Sequence, residues 1–375
     1  TTKEVEVIQE EDGGVTLDYD PNQKQSEGDY FANLAEFMDD DLLQKLSSDL
    51  QKNFEDDKNS RSDWEKTYKD GLDLLGFKYE ERSKPFAGAA GVTHPLLAEA
   101  VTQFQAQAYK ELLPPGGPVR TEILGAPTME TEQQAERVKG FMNYQITTEM
   151  QEFDPELDQM LFHLPLAGSA FKKVYYDSNL ERAVSKFVPA EDLVVPYFIT
   201  DLESCNRITH VVKMKHNDLR KNQVSGFYRD VDVSGGSVNT DEIKDKQDEL
   251  SGVEQVNFAE DEHNILEMHV DLDLPGFEDM GANNQKTGIM VPYIVTIDED
   301  SGEVLSIYRN WNQGDPIRKK KEYFTHFKFL PGLGFYGFGL IHMIGGLSRT
   351  ATAALRQLLD AGTLSNLPAG FKARG

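Results

Sequence analysis

Apolar spacing along the chain predicts helices in the first half, strands in the second, and one long helix at the end. Over 31–54, Leu34, Phe37, Met38, Leu42, Leu43, Leu46 and Leu50 recur at helical intervals. A polar break at 56–62 follows, and Trp64, Tyr68, Leu72 and Leu75 then mark a second helix. Thr93 as N-cap and Pro95 in the first turn open a third, with Leu97, Val101, Phe104, Ala108 and Leu112 on one face and Pro114 to Gly117 as its stop. Two more are marked by Ala135, Val138, Met142 and Ile146, and by Leu157, Leu161 and Leu164.

From Ala170 the period shortens to that of strands. Runs at 171–176 and 183–188 read as a hairpin, 208–214 as a single strand, and 265–274 as an alternating one. Runs at 292–297 and 304–311 make a second hairpin, and 323–330 is a last strand. Residues 217–262 are polar and suggest a surface excursion. The first 30 residues are acidic and weakly periodic, the composition of a flexible arm. No repeat is visible, and helices, strands and a final helix in that order favour an α+β class over βαβ winding.

The final helix carries Leu340, Ile344, Leu347, Ala351, Ala354 and Leu358 at steps of four and three, a seam with a 3.5-residue period. Its other face carries Ser348, Arg349, Thr352, Arg356, Gln357 and Asp360, with small residues such as Gly345 and Gly346 that let helices approach closely. A rod with one narrow apolar stripe suits a palisade of parallel neighbours, and equally an ordinary core helix.

Just before it stands KFLPGLGFYGFGL, in which Gly332, Gly334 and Gly337 spell G-x-G-x-x-G. A dinucleotide site requires that motif early in a βαβ unit, with an acid about 20 residues on at a strand tip to receive the ribose. Here bulky Phe335 and Tyr336 fill the variable positions, and the nearest acid, Asp360, falls on or beyond the helix. A glycine-rich hinge that redirects the chain, with Gly332, Gly334, Phe335, Tyr336, Gly337 and Gly339 forming the junction, is the better reading. A nucleotide-dependent oxidoreductase using this loop stays as the alternative, beside a structural adaptor in which 217–262 binds a partner.

A net charge of −26 and a pI near 4.7 oppose adhesion to phosphate backbones, though not a surface past which DNA slides. With one cysteine, Cys205, no intrachain disulfide can form, which suits a reducing compartment. No run approaches the ~18 apolar residues of a membrane span, and the start lacks signal-peptide design. The chain opens without Met and stops soon after a long helix, so a partial polypeptide is expected.

No nucleophile elbow, Walker loop or HExxH motif is present, so no catalytic, cofactor or metal residue is assigned. Asp298, Asp300 and Gly302 echo a calcium loop but put glycine where the fifth ligand belongs, which points to a turn. Asp271, Asp273, Glu278 and Asp279 read as a solvated rim, and the six-apart pairs His210/His216 and His263/His269 as surface or core histidines. The basic run Arg318 to Lys321 reads as a charged strand edge.

Four stretches together resemble the portal (head-to-tail connector) proteins of tailed double-stranded DNA bacteriophages. They are GVTHPLLAEAVTQFQAQAYKELLPPGGPVRTEILG (91–125), FHLPLAGSAFKKVYYD (162–177), PAEDLVVP (189–196) and HFKFLPGLGFYGFGL and onward (326–375). The resemblance implies a non-enzymatic subunit of a ring, typically of twelve copies, at one capsid vertex, assembled in the host cytoplasm. The ring would pass the genome without reading its sequence and dock a terminase motor, tail or adaptor proteins, capsid and scaffolding proteins, with no cofactor and no membrane. By this likeness 31–330 is the wing, 331–375 holds the turn, the first stem helix and the approach to the clip, and the clip, second stem helix and crown would lie beyond. Arg349, Thr352, Arg356 and Asp360 would then face the channel while the 3.5-residue seam packs on neighbours.

Overall fold

The computed structural model describes residues 6–9, 15–18, 29–177, 180–233, 242–253, 262–280 and 285–366. In chain order the elements are β1 (Glu6–Gln9), β2 (Val15–Asp18), α1 (Asp40–Ser60), α2 (Ser62–Leu72), α3 (Leu96–Leu112), α4 (Met129–Tyr144) and α5 (Phe153–Ala167). There follow β3 (Ser169–Asp177), β4 (Arg182–Pro189), β5 (Leu193–Val194), β6 (Arg207–Lys215), α6 (His216–Val224) and α7 (Glu242–Ser251). The last are β7 (Glu262–Leu272), β8 (Val291–Asp298), β9 (Val304–Arg309), β10 (Phe324–Lys328) and α8 (Leu340–Asn366). The class is α+β, with antiparallel sheets and a 27-residue terminal helix.

Two compact units interleave along the chain: Thr1–Phe54, Thr209–Val238 and Asn257–Lys321 form one, and Glu55–Ile208, Asn239–Val256 and Glu322–Gly375 the other. This division cuts across the 31–330 and 331–375 segments expected from the sequence. Within the stretch read as an arm, β1 and β2 pair antiparallel; the other residues of 1–28 lie outside the described ones.

In the first unit β7 pairs antiparallel with β8 and β8 with β9. Val291, Tyr293, Val295 and Ile297 of β8 are buried, but so are Thr296 and Asp298 between them, so this strand is covered on both faces. Leu219 and Tyr228 pack with Ile265 and Leu305 in one core cluster. The fully buried Asn33 accepts from the Ile307 amide (2.9 Å) and donates to the Leu305 carbonyl (3.1 Å), completing a strand edge with a side-chain amide.

In the second unit β10, β3 and β4 form an antiparallel sheet in that order, with His326 opposite Phe171 and Phe171 opposite Val188. One core cluster joins Tyr68, Leu72, Leu75, Leu97 and Val101 to Leu166, Ile243 and Ile341. Ile243 is notable because it belongs to the 217–262 region expected as a polar excursion. That region folds into α6 and α7, each burying an apolar residue, and α7 is tied down by Lys244–Asp192 (2.6 Å) and Lys246–Asp73 (2.8 Å). The Ser-Gly-Gly at 234–236 lies outside the described residues.

Candidate functional site

The second unit contains the glycine-rich turn, the start of α8 and the side chains that hold both. Phe335 is buried, stacked on Phe171 (centroids 5.8 Å) and tilted against His326 (4.6 Å). Tyr336 stacks on Trp64 at 4.6 Å, and Phe338 is more exposed, edge-on to His342. Beneath them Ser169 accepts the Gly337 amide proton (2.8 Å) and sits 3.1 Å from His326 Nε2. Burial pushes His326 down to about 3, so the ring is neutral and its Nε2 can accept the Ser169 hydroxyl proton.

The turn's glycines are marked by crowding and not by φ, Gly334 excepted. None of Gly332, Gly334, Gly337 or Gly339 adopts a left-handed φ, so a turn needing glycine's conformational freedom is not what selects them. Instead the turn backbone lies against the end of α5. A Cβ on Gly337 would meet the Gly168 carbonyl oxygen at 2.4 Å, and one on Gly339 would meet the Leu166 oxygen at 2.3 Å. Gly168 itself is left-handed at φ +90° and equally crowded by Gly337 and Gly339. Gly334, the central glycine of the motif, has open space around it. The Gly337 and Phe338 amides, which a phosphate cradle would direct outward, bond to Ser169 Oγ and the Leu330 carbonyl.

Arg61 fastens this turn, and nothing in its polar surroundings in the sequence signals it. Buried at the α1–α2 junction, it donates to the carbonyls of Ala190 (3.0 Å), Leu193 (2.8 Å) and Glu191, to Glu65 (2.8 Å) and to the Tyr336 hydroxyl (2.9 Å). All three guanidinium nitrogens donate, a planar fork no other side chain offers.

Along α8 the faces divide otherwise than expected. Ile341 and Gly345 face the unit's own core, Ile341 filling the space beside Gly71 and Gly345 lying against Leu74. The face continues into Ser348, Thr352, Arg356 and Asp360, which were expected, apart from Ser348, to line a channel. Thr352 accepts from the His94 amide (3.0 Å), and Asp360 from the Ala90 amide (2.7 Å). Arg356 donates to the Val92 carbonyl (2.6 Å) and the Thr93 hydroxyl (3.2 Å) and pairs with Glu80 (2.6 Å). Thr93 is therefore a partner of α8 and not the cap of α3. Arg349 alone of the four is exposed. Between the 78–93 loop, α7 and this polar face lies a cavity of about 1130 Å³, whose walls include Leu74, Lys78, Arg82, Phe86, Lys246 and Arg349.

The expected seam is also shifted. Leu340 and Ile344 are partly buried against the unit's own core and Ala351 is half-buried, whereas Leu347 is 64% and Leu358 71% exposed and Ala354 is exposed. At about 100° per residue, Met343, Leu347, Ala354 and Leu358 share the side of α8 opposite Gly345, Ser348 and Thr352. That open stripe is apolar and, among the described residues, uncovered.

The remaining motifs take structural roles. Asp298 accepts from the amide and hydroxyl of Ser301 in a β8–β9 turn, with Gly302 left-handed at φ +72°. Glu278 pairs with Lys286 and Asp279 with Arg318. The run at 318–321 lies in the loop before β10 and not on a strand. His216 meets His263 (3.1 Å), so the histidines pair across the sequence in a combination that spacing did not suggest. Among the described residues no group of three His, Cys, Asp or Glu side chains gathers to hold a metal, and no helix is long and apolar enough to cross a membrane. Comparison with protein-family models and with curated proteins finds no match.

Proposed function

We propose that the chain is a portal subunit: a non-enzymatic member of a homo-oligomeric ring at a capsid vertex, through which double-stranded DNA is packaged and ejected. The observation that carries this reading is the uncovered apolar stripe of α8, a 27-residue rod rising from a turn clamped by Phe335, Tyr336 and Arg61. A stripe of that kind is stabilised when a neighbouring helix removes it from water, at roughly 25 cal/mol per Å² of apolar surface. The resemblance of 91–125, 162–177, 189–196 and 326–375 to portal proteins supplies the kind of neighbour, a second copy of the same helix. A charge of −26 suits a conduit, because cations on the wall would each retain a phosphate and add salt-dependent friction. The glycine turn supports this reading over a nucleotide site, since its Gly337 and Phe338 amides are engaged inside the chain.

On this reading the neighbour-facing surface of α8 is Met343, Leu347, Ala354 and Leu358, and Arg349 is the member of the expected channel set still open to solvent. Terminase, tail or adaptor, scaffolding and capsid proteins are the partners it implies. The test is assembly of the protein in solution. Negative-stain images and mass photometry are expected to show closed rings, and the double variant Leu347→Lys with Leu358→Lys is expected to leave monomers with an unchanged melting temperature. Strictly monomeric wild-type protein at high concentration, or rings that ignore both lysines, would overturn the reading.

A further inference from the structure

The two halves of α8 are held by different physics. Up to Gly345 the face toward the body is apolar: Ile341 is buried in the core cluster and Leu340 and Ile344 pack against it. Beyond Gly345 every buried residue of the helix is polar, namely Ser348, Thr352 and Asp360. Among the described residues their side-chain hydrogen bonds and ion pairs run to the 80–94 segment, through Thr352 to His94, Arg356 to Val92, Thr93 and Glu80, and Asp360 to Ala90. Arg82 reinforces the end from the loop side, donating to the Ala90 carbonyl (3.0 Å) and lying 3.8 Å from Asp360. Where a core would otherwise lie under this half, there is the cavity of about 1130 Å³.

We propose that the outer half of α8 is a latched arm: Thr352, Arg356 and Asp360 fasten it reversibly to the 80–94 loop, and the joint lies at Gly345–Ser348. The joint has the features a hinge needs. Gly345 and Gly346 are adjacent and lack side chains to interlock, and a helix of ordinary propensity loses stability at each. The Ser348 hydroxyl, fully buried, has no hydrogen-bond partner among the described residues, so opening at that point lets it reach water. The fastening is also easily undone. Its two ion pairs are partly solvated, with Glu80 63% exposed, so added salt and competing water weaken both. Burial of apolar surface, by contrast, is strengthened or unchanged by salt. High ionic strength therefore loosens residues 352–364 and leaves 340–347 in place. The inference goes beyond ring assembly and does not depend on it.

Hydrogen–deuterium exchange of the intact chain at about 0.1 M and about 1 M NaCl, where the screening length falls from ~10 Å to ~3 Å, reads this directly. The expected result is that peptides covering 352–364 and 80–94 lose protection together, by about tenfold or more, while 340–347 keeps theirs. Arg356→Ala should produce the same pattern at low salt. Asp360→Asn, which keeps an acceptor for the Ala90 amide but removes the charge facing Arg82, should reduce the salt dependence. Equal protection of both halves at both salt concentrations would overturn the proposal, as would loss in 352–364 with 80–94 unchanged. If Arg356→Ala fails to fold, the wild-type salt series and Asp360→Asn still decide.

Discussion

Arg61→Ala is expected to destabilise the second unit by about 3–5 kcal/mol, the range seen when one partner is removed from a buried charged network. Its guanidinium reaches three main-chain carbonyls, at Ala190, Glu191 and Leu193, together with Glu65 and the Tyr336 hydroxyl. Alanine removes a donor from all three carbonyls, Leu193 retaining the Tyr336 hydroxyl (3.2 Å), and each buried acceptor left unpaired costs about 1–3 kcal/mol before any relaxation. It also removes the cation lying 5.6 Å from the Trp64 ring, adjacent to the ring on which Tyr336 stacks. Arg61→Lys should recover only part of the loss, because an ammonium has three donors and no planar fork. Chemical denaturation gives the magnitude. Hydrogen exchange should locate it, with 186–195 and 330–339 losing protection and β7 to β9 keeping theirs. An unchanged denaturation midpoint would mean that the network is incidental to stability.

How far the sequence announced this architecture depends on the range of the interaction involved. The strand pairs β3–β4 and β8–β9 were legible because short turns join them and alternation registers them locally. Most of the reach of α8 was legible too, since its period predicts a helix over 340–362 and the helix runs Leu340–Asn366. Which side of α8 faces inward was not. Amphipathic reasoning assigns the polar face to solvent, but Thr352, Arg356 and Asp360 find main-chain partners in a loop more than 250 residues earlier. A polar side chain can be buried wherever its hydrogen bonds are met, and periodicity carries no information about a partner so remote. Arg61 eluded the same logic: inside a polar break it reads as a solvated charge. His216 and His263 likewise meet through sheet topology, not spacing. The crowding around Gly337 and Gly339 was not legible in the glycine motif, since close approach by another segment leaves no trace in the local sequence.

Crowding of that kind makes a sharp prediction for three glycines, two in the glycine-rich turn and one at the end of α5. Gly168→Ala should be the most damaging. Its Cβ would lie 2.3 Å from the Gly337 carbonyl oxygen and 2.4 Å from the Gly339 nitrogen, and both atoms are backbone, so no side chain can rotate aside. Overpacking costs about 1–3 kcal/mol, and a non-glycine residue at φ +90° adds backbone strain of about 1–3 kcal/mol. Gly337→Ala suffers the overlap without the φ term, meeting the Gly168 oxygen at 2.4 Å, and should lose about 1–3 kcal/mol. Gly334→Ala should be neutral or slightly stabilising, because nothing lies within 4 Å of the added methyl and alanine restricts the unfolded chain. A phosphate cradle would reverse this order: its second glycine admits the pyrophosphate, so Gly334 would be the position at which a methyl abolishes binding. Melting temperatures of the three variants, measured beside titration of each with NAD, NADP and FAD, therefore separate the two roles of the motif in one experiment. The order Gly168, Gly337, Gly334 in damage, with no saturable cofactor binding in the parent chain, is what a turn pressed against the end of α5 requires. A stable Gly168→Ala protein, or micromolar binding lost only in Gly334→Ala, would assign these glycines to a ligand.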